Sequence, residues 1–273
     1  MVKIAMSSDN HFDINRINSE EMLVQQAKYL ITKQVDYYLI AGDLFNDFRQ
    51  SKNYVEQLAK VLKGKTKVRF IAGNHDMLRG ISYNELESLK QPNYLHNRIE
   101  DVAGTQWRLI GNNGWYDYSL SNQNATVAEF AHWKNAYWID QTIVQPSGDI
   151  ERMQTVLQQV EVQLKQAQED HKKVLFMTHF VPKRKFIIDA PDKRMWNMSN
   201  GMLGSVKMGE LLENYNVAHV LFGHLHIHPD PLRINQTTYY NQAVGYRNKH
   251  TNEWLESNFY DQWRRRLKII SLE

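Results

Sequence analysis

The sequence predicts an α/β fold in which two β-sheets pack against each other and helices cover the outside. Strand-like runs alternate with helical patterns along most of the chain, as a layered α/β protein requires. Two further strand-like runs near the C-terminus favour sheet on sheet over a single open sheet. With 273 residues, 42% of them hydrophobic, the chain can bury a substantial core.

Short runs of apolar and β-branched residues mark the predicted strands. They are residues 3–6, 37–41, 68–72, 107–110, 174–178, 219–222, 237–241 and 267–272. Several of these runs end in glycine followed by polar residues, which is where a strand gives way to a loop. The last two runs are the ones that predict a second sheet.

Apolar residues at helical spacing predict helices over residues 19–33, 52–62, 149–168 and 206–215. The first helix has the clearest start, because Asn18 can cap it together with Glu21. Ile17 and Met22 are also spaced as a hydrophobic staple around that cap. The long third helix is rich in Gln, Glu and Lys, which places it outside the sheets.

We expect one domain over residues 1–273, with insertions at about residues 112–172 and 181–204. The first opens with an irregular, aromatic-rich run over residues 112–148, and the second carries the basic cluster 183–185. Loops this long in a compact domain are usually functional or mobile. We expect the aromatic run to pack as a satellite core, with substrate stacking as the alternative. For the basic cluster we expect a solvated face, with phosphate steering as the alternative.

Composition and charge narrow the function. The chain has 33 Lys plus Arg against 30 Asp plus Glu, and a net charge of +3 does not favour a dedicated binder of nucleic acid. It has no cysteine, which excludes disulfides, thiolate metal sites and cysteine nucleophiles. The N-terminal run MVKIAMSSDNHF is not a signal peptide, and no run is apolar enough for a membrane span. We therefore expect a cytoplasmic protein with no membrane partner.

The residues that follow predicted strands are typical metal ligands. They are Asp9 and His11, Asp43, Asn74 with His75 and Asp76 beside it, His179, and His224 with His226. In α/β sheets the ligand crevice lies beyond the carboxyl ends of the strands, so these residues should converge. Imidazole and carboxylate together suit Mn, Fe or Zn better than Mg or Ca, and the number of ligands fits two ions better than one. The glycines before Asp43, Asn74 and His224 allow the chain to leave the sheet abruptly.

In order along the chain, these residues form the motifs Asp-x-His, Gly-Asp-x-x-Asn, Gly-Asn-His-Asp, a single His after a strand, and Gly-His-x-His. From Met1 to about His226 the sequence therefore resembles the calcineurin-like metallophosphoesterases. One departure is Asn46, where many members have Asp. The resemblance implies a four-layer α/β/β/α sandwich with a binuclear metal centre.

The resemblance also implies a role for each residue of the motifs. One metal would be held by Asp9, His11, Asp43 and His226, and the other by Asp43, Asn74, His179 and His224. Asp43 would bridge the two ions. His75 would stabilise the transition state and protonate the leaving group, and Asp76 would orient His75.

The sequence thus predicts metal-dependent hydrolysis of a phosphoric mono- or diester, with a metal-bridging hydroxide as nucleophile. We expect a small phosphate ester as substrate, with nucleotide-like esters among the candidates, because the clustered basic residues are few and separated. A nuclease acting on polynucleotides is one alternative. A non-catalytic metal-binding interaction scaffold is the other, although such a scaffold could dispense with His75. The oligomeric state does not follow from the sequence.

Overall fold

The computed structural model of the chain describes residues 1–190 and 192–273. The strands are β1 (Val2–Ser7), β2 (Tyr37–Ile40), β3 (Lys67–Phe70), β4 (Arg98–Asp101), β5 (Trp107–Gly111), β6 (Lys173–Met177), β7 (His219–Phe222), β8 (Leu232–Ile234), β9 (Thr237–Asn241) and β10 (Lys268–Leu272). The helices are α1 (Ser19–Thr32), α2 (Phe48–Leu62), α3 (Tyr83–Ser88), α4 (Val127–Tyr137), α5 (Asp149–Glu169), α6 (Arg194–Ser199), α7 (Val206–Asn214) and α8 (Phe259–Arg266). Among these helices, none combines the length and the apolar composition that crossing a membrane demands.

The strands form two sheets. The first has the order β10-β1-β2-β3, in which β1, β2 and β3 are parallel and β10 is antiparallel to β1. The second has the order β4-β5-β6-β7-β9-β8, with parallel central strands and antiparallel edge strands β4 and β8. Parallel strands bring their carboxyl ends to one edge of a sheet, so the loops after β1, β2 and β3 lie side by side. The loops after β6 and β7 do the same in the second sheet.

The two sheets share an apolar layer between them. Ile4 and Met6 of β1 belong to one buried cluster with Leu175 of β6. Ala5, between them in sequence, belongs instead to the larger cluster that the helices complete. Side chains alternate along a strand, so each sheet is covered on both faces. The predicted fold class, two sheets flanked by helices, is confirmed.

Helix starts follow from local capping. Asn18 Oδ1 accepts the backbone N–H of Glu20 and of Glu21 at 3.2 Å each, so α1 begins where the sequence predicts. Helix α2 begins earlier than predicted, at Phe48. The reason is Asp47, whose side chain accepts the backbone N–H of Arg49 at 2.8 Å.

Both stretches expected to be irregular contain a helix, α4 in the first and α6 in the second. Helix α4 is started by a capping box between Thr126 and Glu129, but its mixture of aromatic, charged and small residues hides the helical period. The short elements β4, β8, α3 and α8 also have no counterpart among the predicted ones. Each has too few residues for a period to be read from the sequence.

Candidate metal centre

The loops that follow β1, β2, β3, β6 and β7 meet at one edge of the sandwich. The backbone N–H of Asp9 donates to Gly42 O at 2.9 Å, which joins two loops of the first sheet. The backbone N–H of His224 donates to Asp9 Oδ1 at 3.0 Å, which joins the two sheets. Residues far apart in the sequence are therefore brought together by hydrogen bonds between loops.

Several residues at this edge have a left-handed backbone conformation, with positive φ angles. The φ angle is 52° at Asp9, 45° at His11, 57° at Asp43 and 65° at His224. Residues other than glycine rarely adopt such angles, and where they do the strain is held by the surrounding structure and is typical of active sites. The loops thus hold a strained backbone that aims these side chains at a common point.

Two glycines allow the loops to approach this closely. A Cβ atom on Gly73 would lie 2.1 Å from Asp43 Oδ1, and a Cβ atom on Gly223 would lie 2.5 Å from Asp9 Oδ2. Neither space can hold a carbon atom without displacing the carboxylate. The close approach expected from the sequence therefore has a direct steric reason at both positions.

The converging side chains fall into three groups, within each of which the potential ligand atoms lie no more than 4.8 Å apart. The groups are Asp9, His11 and His226; Asp43, His179 and His224; and His11, Asp43 and His75. Asp43 Oδ2 lies 3.8 Å from His11 Nε2 and 3.2 Å from His179 Nε2. Asn74 adjoins the second group, with Oδ1 3.1 Å from His179 Nε2. The Asp43 carboxylate therefore stands between two sets of nitrogen atoms.

Hydrogen bonds to Nδ1, the ring nitrogen directed away from the centre, fix the orientation of two histidine rings. His179 Nδ1 donates to the carbonyl of Ala41 at 2.8 Å, and His226 Nδ1 lies 2.9 Å from Glu253 Oε2. In both rings Nε2 then faces the centre. Partners of this kind fix the tautomer and the orientation of a metal-binding imidazole.

Buried nitrogen atoms without a protein partner support the fit of this site to metal ions. Within the part of the chain that the structure describes, both ring nitrogens of His11 and Nε2 of His224 are buried and make no hydrogen bond. His179 Nε2 and His224 Nδ1 face each other at 3.2 Å, where two lone pairs repel unless a proton or a cation lies between them. Imidazole, carboxylate and amide donors together fit transition-metal ions.

Without metal, the chain balances its two carboxylates with protons on histidine. Burial opposes the charge on His179, but Asp43 outweighs it and raises the pKa of that imidazole to about 9. For Asp9 burial is likewise outweighed by the hydrogen bond and charge of His226, which lower the pKa of the carboxyl to about 2. Burial and the nearby His179 charge lower the pKa of His224 to about 3. The two buried carboxylates thus favour positive charge at this place, which protons on histidine or metal cations can supply.

His75 lies at the mouth of the centre. Its Nδ1 is 2.6 Å from Asn46 Oδ1, and its Nε2 is 3.1 Å from the hydroxyl of Tyr246. Its backbone N–H donates to Asp43 Oδ1 at 2.9 Å. Asn46, where the sequence departs from the resembled motif, therefore contacts the ring of His75 directly.

The contacts of the Asp76 carboxylate differ from those predicted. Its buried carboxylate accepts the backbone N–H of Asp43 at 2.6 Å, that of Gly73 at 2.9 Å, and the hydroxyl of Ser51 at 2.5 Å. Burial, together with the negative charge of Asp43, raises its pKa to about 7. The prediction that Asp76 orients the His75 ring is wrong, because the carboxylate faces the backbone of the loops after β2 and β3 and ties them together.

Three residues of the site have no signal in the sequence. Glu253 and Tyr246 follow the last motif along the chain and reach His226 and His75. Asp140 is fully buried, and its Oδ1 accepts from Asn74 Nδ2 at 2.7 Å while its Oδ2 accepts from Trp138 Nε1 at 3.0 Å. None of the three belongs to a motif, and only the tertiary fold brings them to the centre.

A cleft of about 730 Å³ opens on the centre. Its lining includes Asp43, Asn74, His75, His224 and His226 of the centre and apolar side chains of the two predicted insertions. The aromatic run is divided between two environments. Trp115, Tyr116 and Tyr118 are buried in the main core and do not form a satellite core, whereas Tyr137 and Trp138 line the cleft.

Comparison with known proteins identifies a matching family and similar folds. Residues 2–228 match the family described as calcineurin-like phosphoesterase, whereas no curated protein matches the chain. Phosphopantetheinyl hydrolase from Mycobacterium tuberculosis is 16% identical, with a TM-score of 0.67 over 98% of this chain and 95% of that one. A dimetal phosphatase from Danio rerio is 12% identical, with a TM-score of 0.51 over 88% of this chain and 86% of that one. At such identities the two structures are evidence for the fold alone.

Proposed function

Because the chain belongs to the calcineurin-like phosphoesterases, which hydrolyse phosphoric esters, we propose that it hydrolyses a small phosphoric mono- or diester at a centre of two metal ions. The observation that carries this proposal is the position of Asp43. Its carboxylate lies between His11 Nε2, at 3.8 Å, and His179 Nε2, at 3.2 Å. A carboxylate between two nitrogen-rich groups is suited to bridge a pair of cations.

In this proposal each ion has its own group of ligands and both share Asp43. One ion would be held by Asp9, His11, Asp43 and His226, and the other by Asp43, Asn74, His179 and His224. The donor atoms suit Mn, Fe or Zn, and the unpartnered nitrogens of His11 and His224 support the fit. Bound there, the ions would polarise a phosphoryl oxygen and lower the pKa of a water molecule towards neutrality.

His75 is the side chain suited to protonate the leaving group. Hydrolysis forms a P–O bond from water and breaks the ester P–O bond, so the departing oxygen needs a proton. Asn46 Oδ1, 2.6 Å from Nδ1, can accept that N–H and so turn Nε2 towards the cleft. An imidazolium donates a proton readily near neutral pH. The hydroxyl of Tyr246, 3.1 Å from Nε2, would hold the ring in this position between turnovers.

The surroundings of the cleft support a small substrate over a polynucleotide. A polynucleotide binder needs a basic track that extends beyond the centre, because each neutralised phosphate adds to the affinity. Two of the three basic residues at positions 183–185 pair with acidic side chains outside the cleft lining. Lys183 Nζ lies 2.9 Å from Glu213 Oε1, and Arg184 pairs with Asp189. Nuclease activity is the alternative, and the experiment must distinguish it from hydrolysis of small esters.

The experiment compares substrates on protein loaded with Mn²⁺ at one salt concentration. They are 4-nitrophenyl phosphate, bis(4-nitrophenyl) phosphate, nucleoside monophosphates, and single- and double-stranded DNA. We expect turnover of the small esters that is abolished by a chelator and by Asp43→Ala. Efficient DNA cleavage with steep salt dependence and negligible turnover of the small esters would establish the nuclease instead. Bound metal without turnover of any ester would favour the interaction scaffold.

A further inference from the structure

The cleft beside the centre is lined by polar residues of the centre and by apolar residues from two separate segments of the chain. Tyr137, Trp138 and Ile139 come from one segment, and Ile188 and Trp196 come from the other. We call these five residues the apolar wall. Ring centroids of Trp138 and His224 are 6.4 Å apart, so the wall begins directly beside the centre.

Most of the apolar wall is exposed to solvent. The exposed fraction is 64% for Tyr137, 47% for Ile139, 54% for Ile188 and 53% for Trp196. Other aromatic residues of the two predicted insertions, Trp115, Tyr116 and Phe186, are buried, so the insertions have core aromatics apart from the exposed ones. An apolar patch of this kind beside polar groups is typical of a ligand-binding surface.

Hydrogen bonds and packing fix the wall in place. Trp138 Nε1 donates to Asp140 Oδ2 at 3.0 Å, and Trp196 Nε1 donates to the carbonyl of Ile188 at 3.1 Å. The two segments also contact each other, since Trp133 Nε1 lies 3.3 Å from Met195 Sδ. Both indole N–H groups of the wall are thus already used. What the wall offers a ligand is ring surface and aliphatic surface, with no donor from the indoles.

The charges around the cleft limit the substrate further. Among the described residues that line it, there is no lysine or arginine, while Asp43 and Glu253 are acidic. Apart from the metal ions and the His75 imidazolium that protonates the leaving group, the described lining therefore offers no cation for a second phosphate or a carboxylate. Arg194, on the second segment, is 70% exposed and lies 3.7 Å from Glu129. A nucleoside di- or triphosphate would find repulsion where it needs positive charge.

We propose that the substrate carries a single phosphoryl group and a bulky, uncharged apolar substituent that lies against the apolar wall. This inference rests on the proposed function, because the phosphoryl group is placed at the metal centre. The cleft volume of about 730 Å³ leaves room for such a substituent beside the phosphoryl group. Burial of the apolar surface of this substituent would contribute binding free energy, which compensates for the absence of lysine and arginine in the described lining of the cleft.

The test measures binding and does not need turnover. Calorimetry on the Mn²⁺-loaded protein gives the Kd of n-alkylphosphonates from methyl to octyl, which share one charged group and cannot be hydrolysed. We expect the Kd to fall by about threefold to fourfold for each methylene that reaches the wall. Trp196→Ala should flatten this dependence, whereas Leu255→Ala, at an apolar residue 66% exposed outside the cleft, should leave it unchanged.

Two outcomes overturn the inference and one overturns only the proposed function. A Kd that does not depend on chain length contradicts the inference even if small esters are hydrolysed. Equally tight binding of an alkylphosphonate that ends in a carboxylate contradicts it as well. An intact dependence on chain length without hydrolysis of any ester would instead remove the proposed function and leave the apolar substituent as a property of the site.

Discussion

Two buried aspartates show how differently the strand-end loops and the first insertion are built. Asp76, in the loops, accepts mainly neutral backbone N–H groups, whereas Asp149, at the start of α5, accepts from Lys134 Nζ at 2.8 Å and from Trp115 Nε1 at 2.8 Å. Burial by itself favours a higher pKa for both carboxyls. At Asp76 the negative charge of Asp43 adds to the effect of burial, and the pKa rises to about 7. At Asp149 the positive charge of Lys134 outweighs the effect of burial, and the pKa is lowered.

The difference separates two tasks. Hydrogen bonds hold a strained backbone in the strand-end loops. Among the described residues, both ring nitrogens of His11 and Nε2 of His224 have no hydrogen-bond partner, which suits a site for cations. The first insertion instead pairs its buried Asp149 carboxylate with Lys134 and Trp115, and it buries Trp115 and Tyr116, whose ring centroids are 4.6 Å apart. A change in the loops should therefore remove metal or chemistry. A change around Asp149 should reduce stability and leave the metal content intact.

The largest expected effect is at Asp43, which the proposal makes a ligand of both ions. Asp43→Ala should lose both metals and with them all turnover, because neither group keeps its shared carboxylate. Elemental analysis after purification with Mn or Fe measures the metal content, which should approach two ions per chain in the wild type under the proposed assignment. If Asp43→Ala still bound two ions per chain, Asp43 would not bridge the ions, and the contrast between the strand-end loops and the insertion would lose its basis.

His75 should separate chemistry from metal binding within the same loops. His75→Ala should keep both metals and reduce kcat by roughly 100-fold to 10,000-fold, the range typical of a lost general acid. Tyr246→Phe is the matched control, because it removes only the hydroxyl that lies 3.1 Å from His75 Nε2. Its effect should be far smaller.

The metal content of the His75 variant is the decisive number. His75 also lies within ligand distance of His11 and Asp43, so the geometry allows a third metal-binding group. Loss of an ion in His75→Ala would make this residue a ligand. Unchanged activity would favour the scaffold reading of the whole protein.

Asp149 tests the other region. Asp149→Asn leaves the buried Lys134 without its counter-charge, and breaking such a pair lowers the free energy of unfolding by about 3 to 5 kcal/mol. Because the folded pKa of Asp149 lies below its unfolded value of 3.8, this stability is present above that pH and is lost as the pH falls through the folded pKa. The difference between wild type and variant should therefore narrow below about pH 4.

Urea unfolding of the metal-free proteins between pH 7 and pH 3 measures this difference. Glu161→Gln is the control, because it removes the carboxylate of an exposed pair with Lys165 on α5 and should change stability little. The metal content of Asp149→Asn at pH 7 should equal that of the wild type. A loss of metal in this variant would show that the two regions are not separate.

The sequence predicts the strand-end region far better than the insertions, and the reason is physical. Asp9, Asp43, Asn74 and the histidines follow strands directly, so knowing the strands is enough to place them at one edge. Asp140 and Glu253 reach the centre only through tertiary packing, and no local pattern encodes that. The role of Asp76 was open to error for a related reason, since adjacency to His75 in sequence says nothing about where a carboxylate points.

Asp140 lies where the two regions join, and its substitution is the finest test of their separation. It belongs to the insertion, yet its Oδ1 accepts from Asn74 Nδ2 at 2.7 Å, which turns Asn74 Oδ1 towards His179. Its other oxygen accepts from Trp138 Nε1 at 3.0 Å, so an asparagine at this position would have one acceptor for two donors. We expect Asp140→Asn to weaken metal binding by about tenfold to 100-fold, as is typical when a group that orients a ligand is lost. Calorimetric titration of the metal-free protein with Mn²⁺ measures this.

A double-mutant cycle decides whether Asp140 acts through Asn74 or through general destabilisation. In an Asn74→Ala background, Asp140→Asn should weaken metal binding no further, because the amide that it orients is gone. Equal losses in both backgrounds would mean that Asp140 supports the fold of the insertion and does not position the ligand. Thermal unfolding of the metal-free single variant gives an independent check, since a positioning residue should alter metal affinity more than the Tm of the metal-free protein. If the coupling is found, the insertion that walls the cleft also sets the orientation of one metal ligand, and the two regions are joined through a single buried carboxylate.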